Sequence, residues 1–213
     1  MSKNRFKFGY AAAAVLVVAA GVFAFSKHKT ISKEAAMSMP APQKTGGMPL
    51  FDALAKRHSS REFADTPVSA ETLSTLLWAA GGLKDDGEHR VAPTAKNAQE
   101  IEIYVIDASG AYFFDHRGHS LDKVTDENLT ASASNYGAPL ALALVADSSK
   151  YMSRDMAYAD CGFVGQNIYL AATSLGLSGV FMASTYDRPA LSKALKLKKG
   201  QELLFVHALG YGK

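Results

Sequence analysis

Four side chains that bind anions fall within five consecutive positions: Arg57, His58, Ser59 and Arg61. An arginine guanidinium offers a planar fork of donors that matches phosphate or carboxylate, and a serine hydroxyl adds a short donor. The segment is therefore a candidate phosphate site. A basic cluster of this kind also occurs as an ordinary solvated helix end, so the segment alone leaves both interpretations open.

Two further segments carry residues suited to a ligand site. Residues 93–99 form a polar loop before a predicted strand and contain Pro93, Thr94, Ala95, Asn97 and Gln99. Residues 176–179, which end in Gly179, come after the longest predicted helix, and glycine at such a point ends a helix and permits tight turns.

Helices and strands must bring these three segments together. Apolar residues at helical spacing predict helices at residues 50–58, 70–80, 126–134, 152–175 and 187–195. Runs of β-branched, aromatic or continuously apolar residues predict strands at 101–106, 111–115, 139–146, 179–182 and 203–209. Helices mixed with a small, largely non-sequential sheet, mixed or antiparallel, indicate the α+β class.

Composition excludes several classes of protein. The chain has 213 residues and a formal net charge of +3, which is too balanced for a nucleic-acid binder. Cys161 is the only cysteine, so neither an intrachain disulfide nor a cysteine-rich zinc site can form. His116 and His119 lie three positions apart, but the sequence places no third ligand beside them, and no metal site is predicted.

The amino-terminal residues differ from the rest of the chain. Residues 1–25 begin with basic side chains and continue with an uncharged apolar run, as in a cleaved signal peptide or a retained membrane anchor. Both alternatives stay open, and the basic start favours export of the remainder of the chain to the periplasm or another extracytoplasmic space. Residues 26–47 are polar and rich in proline and glycine, which predicts a flexible linker. The folded domain is predicted at 48–213.

Taken in order, the three polar segments resemble the nitroreductase family of FMN enzymes over residues 48–212. The family's Arg-[Arg/His]-Ser-x-[Arg/Lys]-x-[Phe/Tyr] pattern is matched at residues 57–63. Its Pro-Ser-x-x-Asn-x-Gln loop is matched at 93–99, with threonine in place of serine, and its Gly-Leu-Gly segment at 176–179. The resemblance implies a nitroreductase-like fold.

The same resemblance implies roles for individual residues. Arg57 and Ser59, with His58 between them, would hold the FMN phosphate and ribityl chain, while Arg61 would reach the pyrimidine edge of the ring. The other flavin contacts that the resemblance implies are Pro93, Thr94, Ala95, Asn97, Gln99, Gly179 and the backbone N–H groups of Ala183 and Ser184. Many members clasp the phosphate with a basic residue on a carboxy-terminal extension, and here only Lys213 is available for that place.

Within the family, residues 73–82 and 90–95 are similar to the shorter branch that includes the thiazoline and oxazoline oxidases. Those enzymes use a Lys-Tyr pair just before the long helix, and Lys150 and Tyr151 stand there. The resemblance implies that this pair takes part in proton removal. A solvated helix start with one packed aromatic residue is the alternative.

The activity that the resemblance implies is that of an FMN-dependent oxidoreductase, built as a homodimer with FMN in each interface. A donor such as NAD(P)H would reduce the flavin, and a small-molecule acceptor such as a nitroaromatic or a quinone would then be reduced. Export would favour a membrane quinol or an oxidase-type reaction instead of NAD(P)H. A non-catalytic flavin-binding or assembly protein and an azoline oxidase-type dehydrogenase are the rival interpretations.

Overall fold

The computed structural model describes residues 36–151 and 153–213. The predicted signal or anchor segment, residues 1–25, lies outside the described residues, as do residues 26–35 of the predicted linker. None of the helices in the described ranges combines the length and the apolar character needed to cross a bilayer.

Helices and strands alternate irregularly along the described chain. The helices are α1 (Leu50–Lys56), α2 (Ala70–Gly81), α3 (Thr130–Ala133), α4 (Arg154–Ser174) and α5 (Arg188–Ala194), with a 3-10 turn at Ala95–Asn97. The strands are β1 (Met37–Ser38), β2 (Ile101–Asp107), β3 (Gly110–Asp115), β4 (Ser120–Thr125), β5 (Leu140–Asp147), β6 (Ser178–Met182) and β7 (Gln201–Gly210). The predicted α+β class is confirmed.

The described strands form one sheet in the order β1-β4-β3-β2-β5-β7-β6, and each neighbouring pair is antiparallel. Strand β5 lies inside this sheet and is buried on both faces. Its leucines, such as Leu142 and Leu144, pack in the core shared with α2 and α4. Its alternate residues, such as Ala143 and Val145, pack in the core shared with α5. This explains why its sequence is apolar throughout instead of alternating.

Side-chain caps fix where the principal helices begin. Ser69 accepts a hydrogen bond from the N–H of Thr72 at the start of α2, and Ser153 does the same for Met156 at the start of α4. Such caps satisfy N–H groups that have no partner inside the helix. The core face of α4 contains small and apolar residues at helical spacing: Ala157, Cys161, Val164, Ile168 and Ala172.

The structure differs from the sequence-based expectation in three places. Residues 120–125 form β4 although their sequence, rich in polar residues, predicts no strand. The predicted helix at 126–134 is reduced to the four residues of α3. The second half of the predicted flexible linker packs on the domain: β1 pairs with β4, Met39 contacts the core, and the N–H of Gln43 donates to Thr75 Oγ1 at 3.0 Å.

Candidate functional site

The basic segment at residues 57–61 comes directly after α1 and is fixed by its backbone. The N–H of Ser60 donates to the carbonyl of Gly179 on β6 at 2.9 Å, and the N–H of Ala64 donates to the carbonyl of Tyr211 at 2.8 Å. The segment therefore lies along the β6 edge of the sheet, beside the end of β7. Two of the three segments selected from the sequence are in contact here.

Tyr169 of α4 joins this segment to β6. Its hydroxyl lies 2.8 Å from Ser59 Oγ and accepts the N–H of Phe181 at 2.8 Å. The Arg57 guanidinium stands 5.2 Å from the centre of the tyrosine ring, in the range of a cation–π contact. A single helical side chain thus positions both residues expected at a phosphate.

Gly179 and His207 form the floor behind this segment. A Cβ atom at position 179 would lie 3.0 Å from His207 Nε2, so only glycine fits without displacing a neighbour. His207 is fully buried, and neither ring nitrogen has a hydrogen-bond partner in the described part of the chain. Burial lowers the pKa of His207 to about 3, which keeps the floor uncharged at neutral pH.

Positive charge at this site therefore comes from the arginines of the segment and from Lys213. Arg61 lies with its guanidinium 5.6 Å from the ring centre of Tyr136. An antiparallel bridge pairs Phe63 with Gly212, which brings the neighbouring Lys213 beside the segment. Among the described residues, neither arginine of the segment nor Lys213 takes part in an ion pair. His58 is exposed, and its Nδ1 lies 3.0 Å from the Lys56 carbonyl.

Two backbone donors stand just beyond the end of β6. Ala183 and Ser184 are exposed, and within the described ranges neither N–H group donates a hydrogen bond. The carbonyl of Ala183 accepts from Arg188 Nη2 at 3.2 Å, which fixes the peptide from its other side. These N–H groups are available to a ligand that lies over the end of the strand.

The loop at residues 93–99 has an unusual backbone. Lys96, Asn97 and Gln99 have φ angles of 53°, 55° and 52°, in the left-handed region that side chains other than glycine seldom adopt. The N–H of Ala95 donates to Asp160 Oδ2 on α4 at 2.9 Å, which ties the loop to the long helix. Strain of this kind is concentrated at ligand-binding sites in proteins.

Side chains inside the loop hold one another. Gln99 Nε2 donates to Asn97 Oδ1 at 2.9 Å and to the Glu88 carbonyl at 2.8 Å. The backbone N–H of Gln99 donates to Thr94 Oγ1 at 2.9 Å. Pro93 is exposed at the start of the loop. The amides of Asn97 and Gln99 are thus already oriented by the protein.

A polar cavity of about 410 Å³ lies beside this loop. Its lining includes Asn97, Gln99 and Lys150. Lys150 Nζ lies 3.2 Å from Glu102 Oε1, and Tyr151 is half-buried against the core that contains α4. Of the predicted Lys-Tyr pair, only the lysine faces this cavity.

His116 also lines this cavity and is uncharged there. Burial, and then the nearby charges of Arg90 and Arg117, lower the pKa of His116 to about 4. The cationic groups of the lining are therefore Arg90, Arg117 and Lys150.

The loop and the basic segment meet α4 at different places. No hydrogen bond, ion pair or ring contact links them within the described ranges. Their anchors on α4, Asp160 and Tyr169, are nine residues apart, which corresponds to about 14 Å along the helix. The structure unites the first and third segments and leaves the second at a separate position.

Sequence reasoning did not select Tyr169 or Asp160. A tyrosine at a half-buried helical position has no distinguishing sequence signal. Asp160 had such a signal, because it is a charged residue beside Cys161 among the apolar residues that α4 turns toward the core. In the structure it is only 2% exposed. A buried acid at such a position requires a partner, which is the Ala95 N–H.

Large apolar side chains are exposed on α1 and on α4, which pack against each other. We call these side chains together the apolar face; their exposed fractions are Leu50 59%, Phe51 82% and Leu54 45% on α1, and Met156 38%, Tyr158 38% and Phe163 48% on α4. Exposed clusters of this kind mark interaction surfaces more often than isolated residues do.

Comparison with known proteins identifies relatives of the chain. The model of the nitroreductase family matches residues 54–211. A protein from Methanocaldococcus jannaschii that carries the name nitroreductase is 31% identical over 175 residues, which cover 73% of this chain and 88% of that one.

Solved structures agree with this match. A crystal structure of a protein named as a nitroreductase from Ralstonia eutropha is 28% identical, with a TM-score of 0.78 over 85% of this chain and 91% of that one. A Desulfovibrio desulfuricans protein of the same fold, 24% identical with a TM-score of 0.59 over 78% and 88% of the two chains, was solved in complex with FMN. The chain therefore belongs to the nitroreductase family of oxidoreductases.

Proposed function

We propose that the protein is an FMN-dependent oxidoreductase that carries reducing equivalents from a donor such as NAD(P)H to a small conjugated electrophile such as a nitroaromatic or a quinone. One observation carries the proposal. The basic segment at residues 57–61 is bonded, through Tyr169 and Ser60, to β6, whose end presents two backbone N–H groups that donate to no other described residue.

The residues present fit FMN. Arg57 and Ser59 would hold the phosphate, with Lys213 close to the same segment, and Arg61 would lie toward the pyrimidine edge. The free N–H groups of Ala183 and Ser184 suit a ring nitrogen. When bound, FMN supplies a ring that accepts and releases hydride at N5, which no protein side chain can do.

The protein groups around the ring contribute fixed charge and fixed donors. A guanidinium stays protonated throughout a reaction, so Arg61 would stabilise negative charge on the pyrimidine edge without taking part in proton transfer. Backbone N–H groups at residues 183 and 184 orient a ligand without a titratable side chain. These groups thus bind and orient the ligand, and the protons of the reaction must come from other groups.

Lys150 is the candidate for that proton transfer. It faces the cavity that contains Asn97 and Gln99, while Glu102 and Asp147 keep its amine within ion-pair distance at 3.2 Å and 3.7 Å. This placement favours, as a second candidate function, a dehydrogenase of the azoline oxidase type. Tyr151 would then support the lysine from the core.

A second copy of the chain would complete the site. In one chain the loop at 93–99 and the basic segment are separate, and the apolar face lies exposed on the two helices next to them. A two-fold axis through that face would bury it against itself. It would also allow the loop of one protomer to approach the basic segment of the other. We therefore propose a homodimer with FMN in each interface.

For the location of the protein, we propose export directed by residues 1–25, with the domain periplasmic or otherwise extracytoplasmic and, if the segment is retained, anchored to the membrane. A phosphatase fused after residue 47 is expected to be active outside the cytoplasm. An inactive fusion that accumulates to normal levels would contradict export.

The decisive experiment for the activity is the absorption spectrum and mass of the small molecule that copurifies with the full-length protein. We expect a flavin spectrum and the mass of FMN. Anaerobic mixing with NADH, NADPH and a quinol should then bleach the flavin with at least one donor. A bound flavin that none of the three reduces would favour the non-catalytic alternative, and a colourless protein that binds no added FMN would overturn the proposal.

A further inference from the structure

Two buried carboxyl groups meet beneath the loop at 93–99. Glu100, directly before β2, is fully buried, and neither of its carboxylate oxygens has a hydrogen-bond partner in the described ranges. Asp160 of α4 is 2% exposed and faces it. The function of the site described above uses neither carboxyl group.

Arg90 and Cys161 are the other groups around the pair, and the charge of Arg90 offsets only part of the effect of burial on the pKa of Glu100. Arg90, from the segment before β2, is 7% exposed; its Nη1 donates to the Ile101 carbonyl and its Nη2 lies 3.0 Å from His116 Nδ1. It forms no ion pair with Glu100. Cys161 of α4 is fully buried, and burial raises the pKa of its thiol, which stays protonated.

Two carboxylates in contact inside a core cannot both be ionised at low cost, because an unpaired buried charge is expensive and like charges repel. Burial, and then the facing Asp160 carboxyl, raise the pKa of Glu100 to about 7. The pair therefore holds one proton in mildly acidic solution. A protonated Glu100 can donate to one oxygen of Asp160, which leaves the other oxygen to accept the Ala95 N–H.

We propose that Glu100 and Asp160 share one proton and act together as positioning residues, which hold the strained loop at 93–99 against α4 through the Ala95 N–H. The role in flavin binding rests on the proposed function, in which this loop forms one wall of the flavin site. Loss of the proton places two negative charges in contact and weakens the attachment of the loop.

The direction of the pH effect is set by the number of bound protons. Unfolded Glu100 titrates near its ordinary pKa of 4.5, whereas the native group titrates near 7. Between these values the native protein keeps a proton that the unfolded chain has released, so the contribution of Glu100 to stability is largest at the acid end and falls as pH rises toward 7. His116 and His207, whose native pKa values are lowered, contribute with the opposite sign below about 6.5. One such proton raises the unfolding equilibrium constant up to about tenfold per pH unit in this window.

The test is chemical unfolding of the full-length protein between pH 5 and pH 8, compared with Glu100→Gln and Asp160→Asn. In Glu100→Gln the new amide donates to Asp160 without titrating, so the part of the pH dependence that Glu100 contributes should disappear, and Asp160→Asn should reduce it. The opposite contributions of His116 and His207 are common to all three proteins. Asp155→Asn, at an exposed position on the same helix, is the matched control and should keep the wild-type dependence. Wild-type pH dependence in Glu100→Gln would overturn the proposal.

Infrared spectroscopy of the wild-type protein keeps the test independent of whether a variant folds. A band from a buried protonated carboxyl group is expected at pH 6 and should be lost by pH 8; its absence at pH 6 would contradict the proposal. FMN affinity should fall about tenfold between pH 6 and pH 8 in the wild type and remain constant in Glu100→Gln. If no FMN binds at any pH while the unfolding and infrared results hold, the proposed function fails and the carboxyl pair stands.

Discussion

The basic segment at 57–61 and the loop at 93–99 are held in opposite ways. The segment has no left-handed residue and is bonded to β6 and to Tyr169 by neutral groups, and its arginines form no ion pair with another described residue. The loop has three left-handed residues, and its Ala95 N–H donates to Asp160, which is buried beside Glu100. Neutral groups thus hold the basic segment, whereas the attachment of the loop to α4 passes through a buried carboxyl group.

The largest effect is expected at the apolar face, through which the basic segment of one protomer and the loop at 93–99 of the other would be brought together. The double variant Phe51→Ser, Phe163→Ser should raise the dimer dissociation constant more than about 100-fold. Each buried phenylalanine contributes about 1.5–3 kcal/mol and occurs twice in a two-fold interface. Analytical ultracentrifugation measures this, and FMN affinity should fall in parallel.

Met37→Ser is the matched control, since Met37 is 49% exposed on β1, at the opposite edge of the sheet from β6. It should leave the dimer unchanged. A wild-type protein that sediments as a monomer at high concentration would show that this face does not bring the basic segment and the loop together.

Removing the principal cation of the basic segment at 57–61 should have the next largest effect. Arg57→Ala should weaken FMN binding up to about 100-fold, because charge-assisted hydrogen bonds are worth about 1.5–3 kcal/mol and 1.4 kcal/mol corresponds to a factor of ten. Quenching of flavin fluorescence during titration measures this. Lys56→Ala, at the adjacent exposed position, should have little effect; equal losses in the two variants would indicate only a general loss of positive charge.

Tyr169→Phe tests how the basic segment at 57–61 is held. The change removes the hydroxyl bonded to Ser59 and to the Phe181 N–H, so the free energy of unfolding should fall by about 1–2 kcal/mol. Denaturant titration gives this value. Tyr158→Phe on the same helix is the control, because its hydroxyl has no hydrogen bond among the described residues. An unchanged stability in Tyr169→Phe would show that Tyr169 does not hold the segment.

The smallest effect concerns the strained loop at 93–99, where a substitution is expected to raise the free energy of unfolding instead of lowering it. Lys96→Gly should stabilise the protein by about 0.5–1 kcal/mol, since glycine adopts a φ of 53° without strain. Ala159→Gly, at an exposed position inside helix α4, should destabilise it by about 1 kcal/mol. Thermal unfolding compares the two, and destabilisation by both would mean that position 96 carries no strain.

The strands of the sheet differ in how far local sequence predicts them. β2 and β5 are recognisable because apolar or β-branched residues fill them, as expected for buried strands. β4 carries Asp122 and Lys123 within six residues, and β1 has two residues whose partners come from β4. These strands form because a neighbour offers unpaired backbone groups, which no local pattern records.

The site shows the same division. Arg57, Ser59 and Asn97 were selected because they belong to motifs in a fixed order. Tyr169 was not, since its role comes from the approach of two segments that are remote in sequence. The separation of the loop from the basic segment also could not be predicted, because it depends on where each meets α4.

The double burial of β5 has a consequence for damaged forms of the protein. Its apolar stretch before Asp147 contains no charge, proline or glycine, and in the native sheet β2 and β7 cover both its edges. Uncharged segments of this kind assemble into intermolecular β-structure once they are uncovered. Variants that open the sheet are therefore expected to be lost by aggregation, in the insoluble fraction of the cell, before any loss of catalysis can be measured.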